Sequence, residues 1–247
     1  DYLARDSFYS GVTEGKVGSE RIIKMLDVQD DKLVIEEKGI YSIEKFIVAR
    51  RLMYWQVYLH RTVLSAEHML MLVLKRAKDL TRLGDTLFAS PSLSTFLQND
   101  YNKSSFESTE GVLDKFCDLD DSDIYNAMKA WRLHKDRVLS NLSSRLLDRK
   151  LFRIELRKEP FSDEEITERI TTLQELWDMS SEEAKFFVSS GQVENQPYKH
   201  NGVLIKSKDG SLVDFSVAND NLTIESLSRN VVKSFLCYPK DIPLRSA

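Results

Sequence analysis

Arg50, Tyr54, Tyr58 and Arg61 are the residues of this sequence whose types and spacing best suit chemistry. A guanidinium grips a phosphate or a carboxylate through two parallel N–H donors. A tyrosine adds a flat apolar face and a hydroxyl, which suits a sugar or a base. At helical spacing these four share one face with Ile43, Phe46, Ile47, Val57, Leu64, His68, Met71 and Leu72. The ends of that face are apolar and its middle is cationic and phenolic. The opposite side, with Leu52, Trp55, Leu59, Val63, Leu70 and Leu74, is apolar too. A helix apolar on most sides is expected to be buried, and a buried cation needs a partner. Spacing alone leaves two partners open. One is a bound phosphate or carboxylate. The other is an internal ion pair beside two packed tyrosines, an arrangement common enough to need no ligand.

The element that must position them is long. Residues 42–82 contain neither Pro nor Gly, and one helix is expected there, closed by Gly84 and Pro91. At 1.5 Å per residue it would span roughly 60 Å. Ahead of it, 1–9 reads as a helix ended at Gly11, and Gly11, Gly15 and Gly18 punctuate a loop. Ser19 is expected to cap a short helix through Leu26, and Lys32–Glu36 alternates as a strand before Gly39. Behind it come one or two helical turns at 93–97 and a polar loop at 99–108. Next are a helix opened by Thr109, an acidic turn at 118–123, and helices at 124–133 and 137–147. The texture then changes. A strand is expected at 151–156, and Ser162 with Glu165 forms a capping box opening a helix that ends near Trp177. Strands are expected at 185–189, 202–206 and 212–217, the last two joined by Asp209-Gly210, with a helix at 222–230 and a strand at 231–237. The fold class is therefore mainly α with one very long helix, followed by a small α+β domain. The expected domains are 1–148 and 149–247.

Composition bounds the function. The chain has 247 residues, 42% hydrophobic and 30% charged, typical of a globular chain with a real core. A net charge of −4 gives no global basic field, so a nucleic-acid partner is not expected. The apolar run at 69–74 ends at Lys75 and Arg76, far short of a membrane span, and no signal peptide is visible. Cys117 and Cys237 are the only cysteines, which favours a reducing cytoplasm. Gly15-Lys16 is followed by Val17 where a phosphate loop needs Ser or Thr. The acidic turn has Asp123 where a calcium loop needs Gly and Lys129 where it needs Glu, so helix capping accounts for it better. His60 and His68 stand two turns apart, too far to share a metal.

Two segments carry a resemblance. Asp1-Tyr2-Leu3-Ala4-Arg5-Asp6 followed by Ser7-Phe8-Tyr9-Ser10-Gly11-Val12 resembles a segment of the HD-domain deoxynucleoside triphosphate triphosphohydrolases. These are the dGTPase-like enzymes related to the mammalian enzyme with SAM and HD domains. In that family the segment lies just after the last aspartate of the H…HD…D metal motif. Ala49-Arg50-Arg51-Leu52-Met53-Tyr54-Trp55-Gln56-Val57-Tyr58-Leu59-His60-Arg61 resembles the family's long helix, and 121–156 more weakly resembles the helices after it. The resemblance implies that Tyr2 and Asp6 lie beside the sugar of a bound nucleotide and that Arg50 contacts phosphate. It places Tyr58 near the deoxyribose, where a 2′-hydroxyl is excluded, and Tyr54 where the mammalian enzyme has a histidine. His60 and Arg61 match a regulatory nucleotide pair, but Gln56 replaces an arginine of that site.

The implied reaction is attack of metal-activated water on the α-phosphorus of a dNTP, releasing deoxynucleoside and triphosphate. The implied cofactor is a divalent ion (Mg, Mn, Fe, Ni or Zn), and a homo-oligomer is expected. Yet His60, His68, His134 and His200 are followed by Arg61, Met69, Lys135 and Asn201, so no His-Asp dipeptide occurs. No catalytic residue and no metal ligand is assigned to this chain. The metal motif is expected upstream, in a longer protein of which this is the C-terminal portion, and the segment alone is expected to be inactive. Two other readings remain open: a catalytically inactive nucleotide-binding or oligomerisation module, and a helical scaffold with a coincidental Arg and Tyr stripe.

Overall fold

The computed structural model of the protein describes residues 1–195, 202–218 and 230–243. It is mainly helical with a small α+β part, as the sequence pattern implies. In chain order the first elements are α1 (Tyr2–Ser10), α2 (Ser19–Lys24), β1 (Leu26–Gln29), β2 (Lys32–Glu36), α3 (Ile40–Met53), a π-helical turn (Tyr54–Tyr58) and α4 (Arg61–Arg82). Then come α5 (Pro91–Gln98), α6 (Lys103–Ser108), α7 (Val112–Cys117), α8 (Asp121–Trp131), α9 (Arg137–Leu147) and β3 (Arg153–Arg157). The rest are α10 (Asp163–Trp177), α11 (Ser181–Ala184), β4 (Ser189–Glu194), β5 (Leu204–Lys206), β6 (Leu212–Asp214), α12 (Phe215–Ala218) and β7 (Val232–Tyr238). The sheets have strand orders β1-β2-β5-β6 and β3-β7-β4. Two compact units result. One is Asp1–Val63, Arg157–Glu159 and Gln192–Ser234; the other is Leu64–Leu156, Pro160–Gly191 and Phe235–Ala247.

In the first unit, Ile35, Ile43, Ile47, Ile205 and Phe215 form the core, with Ile22, Met25 and Phe46 packed against it. Strand β1 departs from the pattern, which implies a short helix through Leu26. The helix stops at Lys24, and Leu26 pairs with Ile35 and Val28 with Leu33 in an antiparallel hairpin. Asp30 and Asp31 turn it with φ of 52° and 56°. Aspartate tolerates that left-handed geometry better than bulkier residues do. Strand β2 also pairs with β5, in parallel, with Ile35 opposite Ile205. The Asp209-Gly210 turn joins β5 to β6 as expected, with Gly210 at φ 85°. Strand β6 ends at Asp214, three residues early, because Asp214 Oδ1 accepts the Ser216 N–H at 2.9 Å and turns the chain into α12.

The single helix expected over 42–82 is interrupted. Beyond Met53 the backbone opens into the π turn, in which the Leu59 N–H donates to the Tyr54 carbonyl at 2.6 Å, and helical bonding then breaks. His60 Nδ1 accepts the Thr62 N–H at 3.2 Å, so a side chain satisfies a donor that a continuous helix would bond to its backbone. One extra residue in a turn shifts the register by about 100°. The buried positions of α4 are accordingly Leu64, Ser65, Met69, Leu72, Val73, Ala77 and Leu80. Met71, expected on the inner face, is 64% exposed.

In the second unit, Ser65 Oγ donates to the Phe152 carbonyl at 2.9 Å. Arg76 grips Asp136 with two bonds, at 2.6 and 3.1 Å. Asp136 Oδ1 also accepts the Leu139 N–H at 2.8 Å, capping α9. Asp120 caps α8 through the Ser122 and Asp123 N–H groups, which explains the acidic turn. The segment 99–108 is not all loop, since Asn102 and Ser105 form a capping box that starts α6. Ser162 and Glu165 do the same for α10, as expected. Strand β4 starts at Ser189 rather than Lys185, because the Lys185, Phe186 and Phe187 N–H groups are still bonded back to α11. The helix expected at 222–230 falls outside the described residues, Asn230 excepted. Among the described residues, no helix is long and apolar enough to cross a membrane.

Burial works against ionisation of Asp136, but the bond from Arg76 and the Leu139 amide outweigh it and hold the carboxyl below its usual 3.8. A depressed carboxyl contributes stability above its unfolded value, and that stability is lost as pH falls through the folded value. Asp136→Asn is expected to cost about 2–3 kcal/mol at pH 7, from a broken partly buried pair and a weakened cap. Urea unfolding should show the gap from wild type closing below about pH 4.

Candidate functional site

Helix α1 has nine residues and no side-chain cap. Packing must therefore hold it, because isolated helices this short are marginal in water. Leu3 and Ser7 face inward at 2% and 3% exposure. Ser7 Oγ donates to the Val12 carbonyl at 2.7 Å, folding the loop after α1 back under the helix. Gly15 lies where that loop meets α3. A Cβ there would fall 2.8 Å from both Met53 Sδ and Ser7 Cβ. Only glycine lets the loop pass so close. Leu3 and Ser7 occupy one side of α1, which leaves Tyr2 and Asp6, one turn apart, on another.

This packing brings Tyr2, Asp6, Arg50, Tyr54 and Tyr58 together. Tyr58 Oη donates to Asp6 Oδ2 at 2.5 Å. Arg50 Nε donates to Tyr2 Oη at 3.3 Å. The Tyr54 and Tyr58 rings meet edge to face at 5.2 Å, and the Tyr2 and Tyr58 centroids are 6.4 Å apart. Arg50 Cζ stands 5.1 Å from the Tyr54 ring centroid, within cation–π range. Arg50 lies in the last turn of α3, and Tyr54 and Tyr58 begin and end the π turn. Burial, then the bond and charge of Asp6, push the Tyr58 phenol above its usual 10.0. It therefore remains a neutral O–H donor across the physiological range.

Two other expected residues stand apart from this cluster. His60 and Arg61 are exposed, and His60 bonds locally, to the Thr62 amide. Gln56 donates instead to Glu14 Oε1 at 3.2 Å. Sequence reasoning missed Glu14 and Gly15. Gly15 carried a faint signal as one of three glycines in eight residues; Glu14 carried none. The cluster offers a guanidinium, three phenols and a carboxylate, a set suited to a ligand with an anionic end and hydroxyl groups. No three His, Cys, Asp or Glu side chains converge as a metal site among the described residues. This chain's described groups thus do not fit the divalent ion that the family resemblance implies.

Comparison with known proteins fits this picture. Residues 17–88 match the family model of the HD associated region. The chain is similar to an uncharacterized protein of Bacillus subtilis, YwfO, at 37% identity over 152 residues, or 62% of this chain and 33% of that protein. A crystal structure of a phosphohydrolase from Bacteroides thetaiotaomicron is 48% identical, with a TM-score of 0.88 over 97% of this chain and 60% of that one. A hypothetical protein from Aquifex aeolicus, 22% identical with a TM-score of 0.62 over 98% of this chain and 53% of that one, shares the fold. The chain thus spans a third of the curated relative's length and 60% of the Bacteroides chain. Residues 17–88 thus resemble an HD associated region, and the chain as a whole is similar to part of the Bacteroides phosphohydrolase.

Two substitutions test how the cluster is held. A raised phenol pKa contributes stability that is fully present below the unfolded value of 10.0 and is lost as pH rises toward the folded value. Tyr58→Phe is expected to cost about 1–2 kcal/mol at pH 7, the worth of a partly buried bond to a carboxylate. In urea titrations the difference from wild type should shrink above about pH 10. Gly15→Ala should destabilise by about 1–3 kcal/mol through overpacking. The backbone amide signals of α1 should move more than those of α9.

Proposed function

We propose that this chain is part of a metal-dependent HD-type phosphohydrolase that hydrolyses a dNTP to deoxynucleoside and triphosphate. The observation that carries the reading is the meeting of Arg50 with Tyr2 beside the Tyr58–Asp6 bond. Residues 48 positions apart in sequence supply an anion-gripping group and a hydroxyl-rich wall to one small region. The likeness to the HD associated region and to the Bacteroides phosphohydrolase supports the reaction class.

In this reading Arg50 holds phosphate, and Tyr2, Asp6 and Tyr58 line the sugar pocket, with Tyr54 stacked beside the guanidinium. The Tyr58 ring, fixed by its bond to Asp6, bars a 2′-hydroxyl. His60 and Arg61 are the candidates for a regulatory nucleotide contact. Gln56, engaged with Glu14, does not provide the cation that the mammalian site has there. The divalent ion belongs to residues outside this chain, and the chain's own part is to bind and orient the nucleotide.

Arg50→Ala in the whole protein should lower kcat/KM for its preferred dNTP by about 10–100-fold, the worth of a charge-assisted bond. Triphosphate release, followed with each of the four dNTPs and with magnesium or manganese, measures this. No triphosphate from any dNTP, with binding retained, would make the chain an inactive nucleotide-binding module. Full activity in Arg50→Ala would remove the phosphate role from this cluster.

A further inference from the structure

We infer that the groove along the exposed face of α9 is a second binding site, for a small polyphosphate anion. It does not depend on the hydrolytic reading and lies wholly within the second unit. Arg137, Ser140, Asn141, Ser144, Arg145 and Asp148 recur every three or four residues, so they form one face of the helix. The opposite face is buried through Val138, Leu139, Leu142 and Ser143. With Lys150 these residues line a cavity of about 350 Å³, within the range of small-ligand sites.

The two arginines are held in place before any ligand arrives. Arg137 donates at 2.9 Å to the carbonyls of Trp177 and Asp178, at the open C-terminal end of α10. Arg145 Nε donates to Asn141 Oδ1 at 2.8 Å, and its Nη2 donates to Asp241 Oδ2 at 2.6 Å. Its Cζ sits 4.6 Å from the Trp177 ring centroid. Those bonds do not use Arg137 Nε or Arg145 Nη1. Asp148 is the one acid lining the groove, and it is bonded by Arg132 at 3.1 Å. Asp241 is matched by Arg145. Lys150 adds a third cation, so this face is positive in a chain of net charge −4. Such a local excess concentrates anions.

Spacing selects the anion. Eight residues of helix separate Arg137 from Arg145, roughly 12 Å of rise. Groups mounted that far apart on one helix, with Lys150 beyond them, spread positive charge along the groove, which a single phosphate meets only in part and an anion of several phosphates follows. The serine hydroxyls between them meet its middle. The phosphates can come from inorganic tripolyphosphate or from a nucleoside triphosphate.

The test is an amide chemical-shift titration of the full chain with inorganic tripolyphosphate, with a non-hydrolysable nucleoside triphosphate, and with inorganic phosphate. We expect tripolyphosphate to move signals within 137–150 and to bind at least tenfold tighter than phosphate. Ser144→Glu and Lys150→Glu, at non-buried positions, should each weaken it at least tenfold while the spectrum shows an intact fold. If the nucleotide analogue moves the same signals, the ligand is a nucleotide; if it does not, the ligand is free polyphosphate. Absence of shifts in 137–150, equal binding of phosphate, or unchanged binding in both variants would overturn the site.

Discussion

The close approach at Gly15 is the constraint on which the candidate site rests. Helix α1 is too short to persist alone, and it carries two of the five clustered side chains. Contact holds it: Leu3 and Ser7 inward, and a loop that passes within touching distance of Ser7 and Met53. A side chain at position 15 would push α1 away from α3. The Tyr58–Asp6 and Arg50–Tyr2 bonds both run from α1 to the end of α3 or to the turn beyond it. Bonds of 2.5 and 3.3 Å have little slack, so a shift of an ångström would abolish them. The polar cluster is thus downstream of an apolar fit.

The π turn is the second half of the same construction. In a regular helix, residues four apart drift by about 40° per step, so Arg50, Tyr54 and Tyr58 would fan around the axis. A turn with one more residue takes up part of that drift. Tyr54 and Tyr58 then touch edge to face, and Tyr58 still reaches Asp6. The wider turn forgoes regular i→i−4 bonding, and the ring contacts and the phenol–carboxylate bond offset that loss locally. The same irregularity ends the helix before His60, whose own ring nitrogen caps the start of α4. Local backbone irregularity and the clustering of functional groups coincide here, as is common for π turns.

The same physics divides the legible from the hidden in the sequence. Helices with a strong local start were legible to the residue: Ser162 with Glu165 opens α10, and 137–147 is α9. Strand β2 and the Asp209-Gly210 hairpin were legible because alternation and turn chemistry are local. The π turn was not, because 54–58 holds no Pro or Gly and reads as good helix, and the bond that Tyr58 makes goes to a partner 52 residues away. Strand β1 was hidden because a short amphipathic run scores as helix until its hairpin mate is known. The parallel pairing of β2 with β5 joins Val34 to Leu204 and leaves no local trace. Periodicity put Arg50, Tyr54 and Tyr58 on one helix face, and only the family resemblance added Tyr2 and Asp6 to them. Periodicity alone puts Arg61 and Met71 on the same inner face, and the structure exposes both.

The bonds within the cluster bear on whether it can also take a ligand. A closed network would leave nothing to offer, but the Asp6 carboxylate retains capacity. A carboxylate has two oxygens and about four acceptor positions, and the phenol of Tyr58 uses one oxygen of Asp6. The bond from Arg50 Nε to Tyr2 and the contact with the Tyr54 ring fix where the guanidinium stands. The internal bonds therefore orient the side chains, and the cost of ordering is met by folding rather than at the moment of binding. The raised phenol pKa fits the same division. A tyrosine that stays protonated brings no negative charge toward an incoming phosphate, whereas an ionised one would repel it.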